Sequence, residues 1–73
     1  MRIEYFPDTD TLYIQLRDVP GADAQEVSED IVLDYNEAGE VVGIEIEHAS
    51  QRIDLGDVHL AAFPTSGAAR PAS

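Results

Sequence analysis

Asp34, Glu45 and Glu47 are the residues of this 73-residue chain that come nearest to chemistry. Carboxylates grouped on one side of a sheet do acid–base work when one of them is desolvated. On an open face, outside any cleft, the same grouping is a solvated acidic surface, and that is the expectation here. Asp8 and Asp10 stand two apart in a turn, a spacing that calcium-like cations use. The glycine and the closing bidentate glutamate of such a loop are missing, so both carboxylates are expected to cap the turn. His48 and His59, with Glu45 or Glu47, supply the donors of a two-histidine, one-carboxylate site, yet they fall on different elements. A local hydrogen-bonding role for His48 is the simpler expectation. Ser28 and Ser50 have no histidine placed to activate them. No catalytic residue, cofactor or native metal ion is therefore expected, and the chain reads as a binder and not an enzyme.

These residues must be held by strands. Val41-Val42-Gly43-Ile44-Glu45-Ile46-Glu47 alternates with a period of two, which turns Val42, Ile44 and Ile46 to one side and Glu45 and Glu47 to water. A small core centres there. Ile31-Val32-Leu33-Asp34-Tyr35 precedes it across the turn Asn36–Glu40, where Gly39 can take a positive φ. Pairing Leu33 with Ile44 and Ile31 with Ile46 puts the apolar residues on one face. Ile3 and Tyr5 likewise pair with Ile14 and Leu12 across Pro7-Asp8-Thr9-Asp10. Gly43 then faces Asp34 on the outer side, where either a ring such as that of Tyr13 or the backbone of a partner lies over it.

The expected fold is α+β and mostly β: a four-stranded antiparallel sheet of two hairpins, with one short helix over His48–Ile53 packed on one face. Glu26–Asp30 begins a strand or bulges into one, and Asp18–Asp23, with its Pro20-Gly21 pair, is a connection. Residues 1–56 form the compact domain; residues 57–73 form an arm and a flexible C-terminal tail.

Fifteen acidic and four basic residues give a net charge of −11, with 13 of the acids in residues 1–53. Such a charge repels phosphate backbones and anionic lipid, so neither nucleic acid nor membrane is an expected partner. No apolar run has the length of a signal sequence or a membrane span, which points to the cytoplasm. Cysteine is absent, so disulfides cannot supplement the small core of so short a chain. Association is the remedy left, and a homodimer is expected, with Val58, Leu60 and Phe63 as its contacts.

Tyr5, Pro7, Asp8, Asp10, Leu12-Tyr13-Ile14, Glu26-Val27-Ser28, Ile31–Tyr35, Gly39, Val42–Ile46 and Ala49-Ser50 stand in an order and spacing that resembles the small bacterial proteins called domain of unknown function 2283. The resemblance covers residues 1–53. It implies a compact β-rich fold with a short helix and, for some members, an antitoxin-like role as partners of small toxins. No residue here is tied to that role. The expected function is that of a small acidic protein-interaction module with a basic protein partner, its interaction face formed by Asp34, Gly43, Glu45 and Glu47. A weak small-ligand or metal-binding protein is the alternative.

Overall fold

The structure is a computed structural model that describes residues 1–64. Five strands, β1 (Arg2–Phe6), β2 (Thr11–Gln15), β3 (Asp23–Ser28), β4 (Ile31–Tyr35) and β5 (Val41–Ile46), are followed by one turn of helix, α1 (Ala49–Arg52). The sheet is antiparallel throughout, in the order β1-β2-β5-β4-β3. The stretch at Val41–Ile46 is thus the central strand.

The expected registers hold: Ile3 faces Ile14, Tyr5 faces Leu12, Leu33 faces Ile44 and Ile31 faces Ile46. The register slips once, after Asp34, where Tyr35 pairs with Val41 and Val42 is left as the extra residue. Its carbonyl then accepts from the backbone N–H of Leu16 at 2.8 Å.

The sheet has five strands, not the expected four. Asp23–Ser28 pairs with β4 along its length, and a bulge between Glu26 and Ser28 leaves Val27 without a partner in β4 and 50% exposed. Its acids and its broken alternation hide it from a pattern search, since β3 is an edge strand exposed at every position. Charge and a bulge are common protections of an edge against unwanted pairing.

The helix is also shorter than expected. Ile53 is extended and lies outside it, and of its residues Ala49 alone is buried. Instead of packing over one face, α1 is tied to the turns at one end of the sheet. Among the described residues, Val42 and Ala49 are the only buried apolar side chains, and the molecule is 20 Å across its thinnest axis. The eleven apolar positions of the inner face (Ile3, Tyr5, Leu12, Ile14, Leu16, Ile31, Leu33, Tyr35, Val42, Ile44 and Ile46) are otherwise half-buried or exposed. Val58, Leu60 and Phe63 of the arm are 74%, 63% and 51% exposed. The expected flexible tail, from residue 65 onward, lies outside the described residues.

Candidate functional site

Two aspartates organise the end of the sheet where three strands turn. Asp10 closes the β1–β2 turn and Asp30 the β3–β4 turn, each in the left-handed region (φ 54° and 67°) that aspartate tolerates better than most residues. Their main-chain carbonyls accept from Ala49 and Glu47, respectively, both at 2.8 Å. Their side chains hold the segment that leaves β5. The Asp10 carboxylate accepts from the Tyr5 hydroxyl at 2.7 Å, the Ser50 amide at 3.0 Å and the Ser50 hydroxyl at 2.7 Å. Asp30 meets His48 Nδ1 at 3.0 Å and accepts from Arg52 Nε at 3.0 Å. Asp10 therefore caps a segment forty residues away instead of its own turn, while Asp8 stays exposed.

These contacts fix the charges. The Tyr5 hydroxyl and then Ser50 hold the Asp10 carboxyl below the usual carboxylate range, and His48 and then Arg52 do the same for Asp30. Asp30 in turn pushes the His48 imidazole up. Both histidine expectations resolve locally: His48 belongs to this clamp, and His59 is exposed on the arm. Among the described residues, no three His, Cys, Asp or Glu side chains are grouped as a metal would need.

The outer face differs in kind. Tyr13 pairs with Glu45 and Asp34 with Gly43, which places Tyr13, Asp34, Gly43 and Glu45 side by side. A Cβ on Gly43 would meet the Tyr13 hydroxyl at 2.6 Å and Asp34 Oδ2 at 3.1 Å. The Tyr13 side chain therefore fills the space above Gly43, the structural explanation for a glycine in a central strand. Partial burial, then the Asp34 carboxyl and the Glu47 charge, push Glu45 above its ordinary value. Burial and the charges of Asp34 and Glu45 likewise raise the Tyr13 hydroxyl. Asp34, Glu45 and Glu47 have no ion partner among the described residues, whereas Arg2, Arg17 and Arg52 pair with Glu4, with Glu40, and with Glu29 and Asp30. An open depression of about 510 Å³ adjoins them, lined by Phe6, Thr9, Thr11 and His48 as well as Tyr13, Glu45 and Glu47.

The family model described as a protein of unknown function (DUF2283) matches residues 2–50, from β1 into α1. The chain belongs to this family. No curated protein and no solved structure matches the chain. The DUF2283 match spans all five strands, both clamping aspartates, Ser50 and the whole acidic outer face, and leaves the arm outside. Within those bounds Tyr13 and Asp30 are the residues that reading for chemistry passed over as members of a site. Asp30 had a signal, because the β1–β2 and β3–β4 hairpins each place an aspartate immediately before the second strand, at Asp10-Thr11 and Asp30-Ile31. Tyr13 had the signal of its strand parity with Glu45. Among the described residues, no helix is long and apolar enough to cross a membrane.

Proposed function

We propose that this DUF2283 chain is an acidic protein-interaction module that acts by binding and performs no catalysis, and that its outer face receives a basic segment of a partner protein. The observation that supports this most is the cluster Asp34, Glu45 and Glu47, three acids without a cation while every arginine of the described residues has one. Partial burial, and after it Asp34 and Glu47, push Glu45 up, so this face holds charge at a cost that a Lys or Arg side chain relieves. Tyr13 adds an aromatic ring beside the acids, a surface on which a guanidinium or ammonium stem can rest. The net charge of −11 acts over a longer range and raises the association rate more than the affinity.

The depression beside Tyr13 favours the small-ligand reading by its volume, which falls in the range of ligand sites. It is open to water and rimmed by acids, so a cationic peptide side chain suits it better than an apolar ligand.

Co-purification with the full chain as bait, at low and high salt, tests the proposal. A basic partner should be retained at low salt, released at high salt, and lost when Asp34→Asn, Glu45→Gln and Glu47→Gln are combined. Retention that ignores both salt and the triple substitution would overturn it.

A further inference from the structure

The inner face of the sheet lacks a second layer, and the chain itself identifies what supplies it. Sheets are hydrophobic on one face and must bury that face. Here the central residues Ile14, Leu33 and Ile44 sit abreast on β2, β4 and β5, and each keeps part of its surface in water. Ile3 and Tyr5 on β1 are 52% and 40% exposed. We infer that a second copy of this chain packs face to face on this surface, making a two-sheet sandwich with an acidic face on each outside.

Charge decides in favour of a copy. The middle of the inner face carries no charged side chain, so a strongly basic protein gains nothing there. Two copies with a charge of −11 each would ordinarily repel. Stacked by their inner faces, they turn their acidic clusters away from each other, across a sheet separation of ~10 Å plus the side chains on either side. That exceeds the screening length of ~8 Å at physiological ionic strength.

The strand order selects the symmetry. Apolar character runs from β1 to β4, whereas β3 brings Asp23 and Gln25 to the same face at the far edge, opposite Tyr35 and Leu33. A two-fold axis along the strands would set Ile3 and Tyr5 of one copy over that polar edge. An axis across the strands stacks each strand on its counterpart, so the β1 residues meet their equivalents and the β3 edges share the rim. The central strand, β5, lies on β5 in either case.

Area brings in the arm. Five strands ~4.8 Å apart and about five residues long make a face of roughly 24 × 17 Å. A pair of such faces gives a flat footprint of about 800 Å², below the ~1,200 Å² at which stable specific interfaces begin. Standing side chains raise the accessible area towards that threshold, and Val58, Leu60 and Phe63 carry it past. Residues 57–64, extended at about 3.3 Å each, reach about 27 Å, enough to cross the partner's sheet.

Light scattering on the full chain from about 1 to 200 μM, paired with filtered NOEs between a methyl-labelled and an unlabelled copy, tests this arrangement. The expected mass is twice 8.0 kDa, with intermolecular NOEs at the methyls of Ile14 and Ile44. Ile3→Glu, at a position exposed in the single chain, should leave the circular dichroism unchanged and raise the dissociation constant at least tenfold. Leu60→Glu with Phe63→Glu should weaken the dimer by a smaller factor. A folded monomer at 200 μM, or a dimer without NOEs at Ile14 and Ile44, would overturn the inference even if Ile3→Glu failed to fold.

Discussion

The Asp10 carboxylate holds Ser50 by two bonds, one from its backbone N–H at 3.0 Å and one from its hydroxyl at 2.7 Å. Through this contact the first turn of the chain fixes the segment that leaves the central strand. Asp30 grips His48 and Arg52 from the other side, so a four-residue helix too short to be stable alone is held by the sheet's own turns.

Acid should loosen this clamp. The folded-state pKa values of Asp10 and Asp30 lie below their unfolded values, so the unfolded chain takes up protons first as pH falls. Their contribution is complete above the unfolded pKa near 3.9, and is lost as pH drops through the folded values. Urea midpoints measured from pH 7 to pH 2 should therefore fall on the acid side, and Asp10→Asn should flatten that limb while lowering the midpoint at pH 7. An acid limb unchanged by Asp10→Asn would assign the stability to other groups.

Glu45 works in the opposite sense. Its folded pKa is raised, so the native state holds the proton longer and stability declines as pH rises through that value. Glu45→Gln should raise the denaturation midpoint at neutral pH, and the gain should shrink to nothing below the ordinary glutamate range near 4.3. A gain of equal size at both pH values would mean that packing, and not charge, separates glutamine from glutamate here.

Gly43→Ala places a methyl 2.6 Å from the Tyr13 hydroxyl and displaces the ring. Overpacking of this kind costs about 1–3 kcal/mol, against a return of roughly 0.5–1 kcal/mol for removing a strand glycine. The net expectation is a loss of about 1 kcal/mol by chemical denaturation. In a Tyr13→Val background the same alanine should cost less, because only the contact with Asp34 Oδ2 at 3.1 Å remains.

Val42 is the large side chain that the sheet buries completely, at 1% exposure. Val42→Ala should cost about 2 kcal/mol through lost burial and the cavity left behind. Glu47→Ala should stay within about 0.5 kcal/mol of the parent. Ile44, although central by position, is only half-buried in a single copy. Equal midpoint shifts for Val42→Ala and Glu47→Ala would contradict the assignment of sheet faces.

The periodicity of β1, β2, β4 and β5 was legible because each strand presents an apolar and a polar side, and the turns set registers that agree with those sides. β3 was obscure for the converse reason: an exposed edge strand needs no apolar side, and its bulge breaks what alternation it has. The pairing of β2 with β5 joins residues about thirty apart, and local pattern carries no information on it. At the candidate site, the neighbourhood of Asp34, Gly43 and Glu45 followed from parity alone. The clamp did not, because Asp10 and Ser50 meet only after the whole sheet is assembled.

Backbone amide shifts during titration with a short Lys/Arg-rich peptide test most directly whether the outer face is the binding surface. Tyr13, Asp34, Gly43 and Glu45 should move first and furthest. Their shifts should vanish with added salt and with the combined Asp34→Asn, Glu45→Gln and Glu47→Gln substitutions. Shifts of equal size at Asp18 and Glu37, acids that lie outside the strands, would contradict this and reduce the charge to a general property of the surface.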